Sequence, residues 1–276
     1  MVALPRSPRA PESGPDRRDL AVRPEGWTLR YDNRAGDWMA YDYRAADRRL
    51  SVSGSLPWET SAWPLGGVVC AVLLGLRQRT LLHGACMALG ERSYGLLGAS
   101  GHGKSTLAAA LVREGAALLT EDLLVAARAP WGWRVEPGAP TLHLLEDSYA
   151  ALASKLGSPA TGAATVRDGK YALDLSSPQL GTGAVQAPLA GLYILDPPSP
   201  DGAARLTRLK GRRALLRLLD HLYGAGWIRP LGQSDLDFCS ALVAEVPIHA
   251  VSRPWRLGAV GETAAMLRRH WAAGAV

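Results

Sequence analysis

The stretch GASGHGKS, residues 98–105, contains the residue types and spacing with the clearest chemistry in the sequence. It fits G-x-x-x-x-G-K-[ST] at every fixed position, which is the pattern of a phosphate-binding loop (P-loop). Glycines at this spacing let successive backbone N–H groups point at one phosphate without an intervening Cβ. A helix that begins directly after the loop directs the positive end of its dipole at the same anion. The stretch therefore predicts nucleotide binding, and the alternative is a glycine-rich turn that binds nothing.

The side chains of this stretch have separate expected roles. Lys104 is expected to reach the β- and γ-phosphates as a point charge, and the Ser105 hydroxyl is expected to bind Mg²⁺. His102 occupies a variable position of the pattern and is interpreted as facing solvent. The predicted ligands are ATP and Mg²⁺, and the predicted nucleotide-binding residues are Gly98, Ser100, Gly101, His102, Gly103, Lys104, Ser105 and Thr106.

Two acidic positions compete for the role of catalytic carboxylate. Phosphoryl transfer needs one carboxylate to hold the metal and often another to orient or deprotonate the attacking group. Glu121 and Asp122 end the strand predicted after the helix of the loop, and Asp196 ends the apolar run GLYILD. Asp196 can also be explained as the start of a loop before two prolines, and the doublet as a solvated strand end. The residues alone leave both positions open.

The elements that must position these residues follow from apolar periodicity and turn residues. Strands and helices alternate from about residue 80 onward, which predicts an α/β core. Short alternating runs between residues 27 and 54 predict antiparallel strands, and a helix is expected near residues 60–77. The core elements are predicted as a hairpin over 81–98, a helix over 104–114 closed by Gly115, strands at 116–120, 187–196 and 246–254, and helices at 146–157, 212–224 and 261–271. A further hairpin is predicted at 165–175, with its turn at Asp168-Gly169.

Composition indicates a soluble cytoplasmic protein. The chain of 276 residues is 47% hydrophobic and 20% charged, which is ordinary for a globular protein. Its net charge of +6 comes from scattered arginines without a block of like charges, so neither nucleic acid nor membrane is an expected partner. Three dispersed cysteines, Cys70, Cys86 and Cys239, are expected to be reduced thiols. No signal peptide is expected, and the longest apolar stretch is too short to span a bilayer.

The expected domain organisation is simple. Residues 1–24 are rich in proline, arginine and acids, and are predicted to form a disordered tail. Residues 25–276 are predicted to form a single catalytic domain, with N-terminal strands and a helix at 25–80 and the P-loop core at 81–276.

Residues 81–126 resemble the catalytic core of the HPr kinase/phosphorylase family. The similarity is greatest to HPr-kinase-related enzymes encoded beside lasso peptides and other ribosomally made, modified peptides. It depends on a linked series of features: His83-Gly84, a hairpin that leads into the P-loop, and an acidic doublet after the helix and one strand. The resemblance implies an α/β fold with a mixed-sheet core like that of phosphoenolpyruvate carboxykinase, preceded by the antiparallel N-terminal portion.

The resemblance also implies roles for individual residues. His83 would lie near the phosphates, although a histidine on an apolar strand is otherwise more often a core residue. Glu121 would be the base and Asp122 the metal-side acid, so the implied metal ligands are Ser105 and Asp122. The family normally has two aspartates here, and the longer Glu121 leaves the division of roles open. The implied catalytic residues are Glu121, Asp122, Lys104 and His83.

The sequence thus predicts a kinase that transfers the γ-phosphoryl group of ATP to a serine hydroxyl of a small protein or precursor peptide. The phosphorylase signature and the N-terminal domain of HPr kinases are not recognisable, so a bifunctional regulatory enzyme is not expected. The alternatives are an ATPase or NTP-dependent regulator or chaperone that uses water as the nucleophile, and a small-molecule kinase. Homo-oligomerisation is left open. Arg253 and Arg256, on either side of Trp255, are interpreted as a surface pair, and the alternative is that they bind a peptide carboxylate or a phosphate.

Overall fold

The protein is described from a computed structural model. The described residues are 17–33, 35–58, 61, 63–152, 165–166, 170–175, 187–197 and 202–274. The chain divides into two compact units, Met1–Cys70 with Thr165–Lys170 and Ala71–Ala164 with Tyr171–Val276. The single domain predicted for residues 25–276 stays a prediction.

The first unit contains a four-stranded antiparallel sheet in the order of the sequence. Its strands are β1 (Arg17–Arg23), β2 (Gly26–Asp32), β3 (Trp38–Arg44) and β4 (Arg49–Gly54). In β2 the side chains of Trp27, Leu29 and Tyr31 are buried, and the residues between them are half-buried. This period of two is the pattern of a sheet with one covered face. The antiparallel N-terminal portion predicted from the sequence is confirmed.

The predicted disordered tail of residues 1–24 is wrong for its last part. Residues 1–16 lie outside the described residues, but Arg17–Arg23 form a strand paired with β2 along its whole length. Most side chains of β1 are exposed, and Val22 is 55% exposed. An edge strand held by backbone hydrogen bonds needs little apolar surface, so its polar composition looked like that of a disordered segment.

The helix predicted near residues 60–77 is divided in two. A short 3-10 helix (Trp63–Leu65) is followed by α1 (Val68–Leu76). Gly66 and Gly67 lie between them as a turn. Adjacent glycines disfavour a continuous helix, which accounts for the division.

The remaining elements continue along the chain. They are β5 (Leu82–Leu89), β6 (Arg92–Leu97), α2 (Lys104–Arg113), β7 (Ala117–Thr120), β8 (Leu123–Leu124), β9 (Ala126–Ala129), β10 (Gly132–Val135), β11 (Thr141–Leu145), α3 (Glu146–Leu152), β12 (Thr165–Val166), β13 (Lys170–Asp174), β14 (Leu189–Leu195), β15 (Arg205–Leu209), α4 (Gly211–Leu219), α5 (Gln233–Glu245), β16 (Ile248–Ser252) and α6 (Val260–Ala272). The turn at Asp168-Gly169 and the end of the helix predicted at 146–157 lie outside the described residues.

A mixed sheet organises the second unit. Its strands lie in the order β15-β16-β14-β6-β5-β7, and β8 also pairs with β5. Strand β14 is parallel to both β6 and β16, whereas β5 is antiparallel to β6 and β7. The mixed α/β core predicted from the sequence is confirmed.

Both faces of the mixed sheet are buried. Along β5, Ala85 and Met87 belong to one hydrophobic cluster, and Cys86 and Ala88 belong to the other. Helices α2 and α6 contribute to the first cluster, and α4 and α5 contribute to the second. Burial raises the pKa of the Cys86 thiol to about 12, which favours a structural role. No helix among the described residues is long and apolar enough to cross a membrane.

A buried histidine in this unit makes the stability sensitive to acid. The His249 ring stacks on Tyr193, with ring centroids 5.2 Å apart. Burial, with smaller contributions from the neighbouring His270 and Arg208, lowers the pKa of His249 to about 4. In the unfolded chain a histidine has its ordinary pKa of about 6.5. The unfolded state therefore takes up a proton first, and stability is lost as the pH falls from about 6.5 to about 4.

We expect His249→Phe to remove part of this acid sensitivity. Phenylalanine can stack on Tyr193 without binding a proton. Between pH 7 and pH 4.5, the free energy of unfolding of the wild-type protein should fall by about 2–3 kcal/mol more than that of the variant, because only the wild type has this histidine. The measurement is the free energy of unfolding from urea titrations at both pH values. An equal acid-induced loss in both proteins would show that His249 is not responsible.

Candidate active site

The carboxyl ends of four strands meet at one edge of the mixed sheet. Strands β6, β14 and β16 run parallel, and β7 runs the same way because both β6 and β7 are antiparallel to β5. The residues at this edge are loop 98–103 after β6, Glu121 and Asp122 after β7, Asp196 after β14, Arg253 after β16 and His83 near the start of β5. In open α/β sheets, ligands bind at the carboxyl ends of the strands.

Loop 98–103, here called the glycine loop, has the backbone of a tight turn into a helix. Gly101 and Gly103 have φ angles of 78° and 74°, in the left-handed region that a side chain disfavours. Gly103 is the N-cap of α2, and its carbonyl accepts a hydrogen bond from Leu107 N at 2.9 Å. The first N–H groups of α2, which have no acceptor within the helix itself, therefore lie where the loop ends.

Lys104 is the first residue of α2 and is only 7% exposed. Its ammonium donates to Gly98 O at 2.8 Å and to Ala99 O at 3.2 Å. It also lies 2.9 Å from His83 Nε2, which must accept because an ammonium has donors only. All three of these acceptors are uncharged, and an ammonium forms a stronger hydrogen bond with an ionised oxygen than with a neutral acceptor. Lys104 would therefore bind an anionic ligand in preference to these acceptors.

His83 links the glycine loop to the neighbouring strands. Its backbone N donates to His221 O at 2.8 Å, and it pairs with Leu123 of β8. Burial, with smaller contributions from the nearby Arg217 and Lys104, lowers the pKa of His221 to about 4, and Asp220 opposes the shift. Arg217 and Lys104 are thus positive charges near this edge of the sheet.

Glu121 and Asp122 lie in the bend between β7 and β8, and both strands pair with β5. The register of the β5–β7 pairing shifts once, within β7, between Leu118 and Thr120. Asp122 has φ 62°, which is rare for a residue with a side chain, and its carbonyl accepts from Gly84 N at 3.2 Å. Because Gly84 follows His83, this hydrogen bond places the backbone of Asp122 next to the chain segment that carries His83, the residue that contacts Lys104.

Glu121 is held by a residue that the sequence did not predict, His143 of β11. Its Oε2 accepts from His143 N at 2.9 Å and lies 2.7 Å from His143 Nδ1. The Glu121 side chain is 5% exposed, and its Oε1 is buried without a hydrogen-bond partner among the described residues. Glu121, Asp122 and His143 each offer a ligand atom, and the three atoms lie within 4.8 Å of one another.

The rival carboxylate, Asp196, is occupied by other contacts. Its Oδ1 accepts from Arg217 Nη2 at 2.7 Å, and its Oδ2 accepts from Ser252 Oγ at 3.2 Å. These bonds join the end of β14 to α4 and to β16. A carboxylate held by a guanidinium and a hydroxyl is suited to a structural role.

Arg253 lies against the glycine loop, so the interpretation as a surface residue is wrong for it. It is 7% exposed, and its Nη1 donates to Asp196 O at 2.8 Å. A Cβ on Gly103 would lie 3.6 Å from Arg253 Nη2. Arg256 is exposed, as expected. The structure thus adds a buried guanidinium to the positive edge of the sheet.

The other predicted nucleotide-binding residues differ in their exposure and in their contacts. His102 is half-buried, with Nδ1 3.4 Å from Leu195 O, so the expectation that it faces solvent is wrong. Ser100 is exposed, and Ser105 is half-buried at the second position of α2. Thr106 Oγ1 lies 3.0 Å from Ser148 Oγ, so its hydroxyl is engaged with α3.

The chain is similar to the HPr(Ser) kinase/phosphatase from Coxiella burnetii, with a TM-score of 0.36 and 11% sequence identity. The similarity covers 70% of this chain and 97% of that chain. No protein-family model matches the sequence, and no curated protein matches it.

Proposed function

We propose that the protein is an ATP- and Mg²⁺-dependent kinase of the HPr-kinase-related type. The observation that carries the proposal is the shared sheet edge, where a glycine loop, a buried Lys104–His83 contact and an acidic doublet lie together. A phosphoryl-transfer site needs these parts: a cradle for the phosphates, a cation, and carboxylates for the metal and the nucleophile.

In this proposal the phosphates lie in the glycine loop, against the first turn of α2. Lys104 would exchange its carbonyl acceptors for phosphate oxygens, and Arg253 would add a second cation close to Gly103. The Ser105 hydroxyl and the Asp122 carboxylate would hold Mg²⁺. Both are oxygen donors, which is the ligand type that Mg²⁺ prefers.

Glu121 is the proposed base. It would accept the proton of the acceptor hydroxyl as the hydroxyl oxygen bonds to the γ-phosphorus, and ADP would leave with the bridging oxygen. The hydrogen bonds from His143 hold one carboxylate oxygen, so the carboxylate has a defined orientation. Positioning and charge stabilisation supply most of the rate enhancement in such reactions.

The acceptor is proposed to be a serine of a precursor peptide or small protein, as in the tailoring of lasso and other ribosomal peptides. Support for this acceptor comes from the sequence resemblance of residues 81–126. A cytoplasmic location, where ATP and reduced thiols coexist, belongs to the same proposal.

The test is to incubate the protein with γ-labelled ATP, Mg²⁺ and candidate peptides, including the products of adjacent short genes. We expect a phosphoserine peptide, detected by mass spectrometry. Release of labelled phosphate without any phosphopeptide would favour an ATPase or regulator. Label in a metabolite pool would favour a small-molecule kinase.

We expect transfer to require a divalent cation. Removal of metal by EDTA should abolish transfer, because the charge of the phosphates and of Asp122 would then repel each other. Addition of excess Mg²⁺ should restore the rate measured before chelation. Transfer that persists in EDTA would contradict the metal role proposed for Ser105 and Asp122.

A further inference from the structure

We propose that Glu121, Asp122 and His143 form a binding site for a divalent cation of the Mn²⁺, Co²⁺ or Zn²⁺ class. This site shares Asp122 with the Mg²⁺ that would accompany the nucleotide at Ser105, so the two ions would bind as alternatives. It goes beyond the proposed function, because it would exist in an ATPase as well as in a kinase.

The arrangement of the three side chains suits a single ion. One ligand atom from each lies within 4.8 Å of the others. Nitrogen and oxygen ligands lie about 2.0–2.2 Å from such a metal, so ligands on opposite sides are roughly 4.4 Å apart. Small side-chain movements would therefore be enough to close the site around an ion.

The unpartnered oxygen of Glu121 is the independent observation that points to a ligand. The side chain is 5% exposed, and Oε1 has no hydrogen-bond partner within the described part of the chain. A buried carboxylate oxygen without a partner is unfavourable and needs an explanation. A metal–oxygen bond of about 2.1 Å is shorter than a hydrogen bond to water, so a space closed to water can still hold an ion.

The contact between His143 and Glu121 is compatible with the site. His143 Nδ1 and Glu121 Oε2 lie 2.7 Å apart, so a proton lies between these two atoms when the metal is absent. A cation would displace that proton, since metal ligands must be deprotonated. An imidazole ligand favours Mn²⁺, Co²⁺ and Zn²⁺ over Mg²⁺ and Ca²⁺, which prefer oxygen.

The cation site and the base role of Glu121 exclude each other. A bound divalent cation lowers the affinity of a carboxylate for protons, so a metal-bound Glu121 is a poor base. The cation is therefore expected to bind the nucleotide-free protein and to be absent during transfer with Mg²⁺. The experiment accordingly uses the protein without nucleotide.

The test is titration of the untagged, metal-free, full-length protein with Co²⁺, followed by calorimetry and by visible absorption. We expect one Co²⁺ per chain, bound more tightly than Mg²⁺. Glu121→Gln and His143→Leu should each weaken Co²⁺ binding by about tenfold or more. Asp196→Asn is the matched control, because that carboxylate is already paired with Arg217, and its Co²⁺ affinity should equal that of the wild type.

Circular dichroism and thermal unfolding establish that each variant is folded. If His143→Leu does not fold, the nearly isosteric Glu121→Gln carries the test alone. The absence of Co²⁺ binding to the wild type, or equal affinity in Glu121→Gln, would overturn the inference. Binding of Mg²⁺–ATP is measured in parallel, so failure of the nucleotide site is distinguishable from failure of the cation site.

Discussion

Replacement of Lys104 by alanine is expected to abolish phosphoryl transfer and to weaken ATP binding. The ammonium of Lys104 lies between the loop carbonyls and His83, and it is the cation that the loop pattern directs at the terminal phosphates. Loss of a single preorganised hydrogen-bond donor typically slows such reactions by about 10²–10³-fold. Removal of a lysine that contacts the transferred phosphoryl group should slow transfer by at least that factor. The measurement is single-turnover transfer from γ-labelled ATP together with calorimetric ATP affinity.

Two further variants separate charge from packing. Lys104 is buried, so Lys104→Met, which keeps much of the aliphatic stem, should be as inactive as Lys104→Ala and closer to the wild type in thermal stability. Lys210→Ala removes an exposed lysine and should leave transfer unchanged. Near-normal transfer by folded Lys104→Ala would refute the assignment of the glycine loop as a phosphate site.

The second large effect is expected at the acidic doublet, and it differs between the two carboxylates. A general base typically accelerates transfer by about 10²–10⁴-fold, or roughly 3–5 kcal/mol of barrier, without contributing to nucleotide affinity. Glu121→Gln should therefore slow transfer strongly and leave ATP affinity unchanged. Asp122→Asn should weaken both, because it removes charge from the metal site.

Asp196→Asn is the matched comparison for the doublet. It keeps the size of the side chain but weakens the ion pair with Arg217, so a stability loss of roughly 1 kcal/mol is expected, with transfer preserved. The measurements are single-turnover transfer and Mg²⁺-dependent nucleotide affinity for all three variants. An inactive Asp196→Asn alongside active doublet variants would assign the catalytic carboxylate to β14 instead.

The parts of the site that the sequence predicts are those set by local spacing. The hairpin of β5 and β6, the glycine loop and α2 are continuous in the chain, and their apolar periodicity and glycines are local signals. The structure contains each of these elements at the predicted positions. Strand β14 was predicted for the same reason, since LAGLYIL is an uninterrupted apolar run bounded by proline-containing segments.

Elements with weak local patterns were missed. Helix α5 buries Asp235, Cys239 and Leu242, while Leu236 on the same helix is exposed. Such a mixture of buried polar and exposed apolar residues weakens the 3.6-residue periodicity of apolar residues by which a helix is predicted. Asp235 is buried because it pairs with Arg229 at 2.6 Å, a partner that no periodicity reveals. Strand β15 is short and mostly exposed, so it too lacks a pattern.

His143 was not predicted, and Arg253 was predicted only as an alternative to a surface arginine, because the sequence around neither residue marks it as part of the site. Each residue is distant from the glycine loop in sequence and reaches the site only in the folded protein. Strand β11 brings His143 to Glu121, and the parallel pairing of β16 with β14 brings Arg253 to the glycine loop. No fixed sequence spacing relates either residue to the loop. An arginine beside an exposed tryptophan, Trp255, looks like a surface residue until the sheet order is known.

The most direct test of the central claim, that the glycine loop binds the phosphates of a nucleotide, is a calorimetric comparison of ATP, ADP and AMP in the presence of Mg²⁺. The loop amides and Lys104 are expected to bind the β-phosphate and to extend toward the γ-phosphate. The account predicts that ATP and ADP bind the wild-type protein, that AMP binds at least about tenfold more weakly, and that Lys104→Ala removes the difference. Equal binding of AMP and ATP, or no binding of ATP, would contradict it.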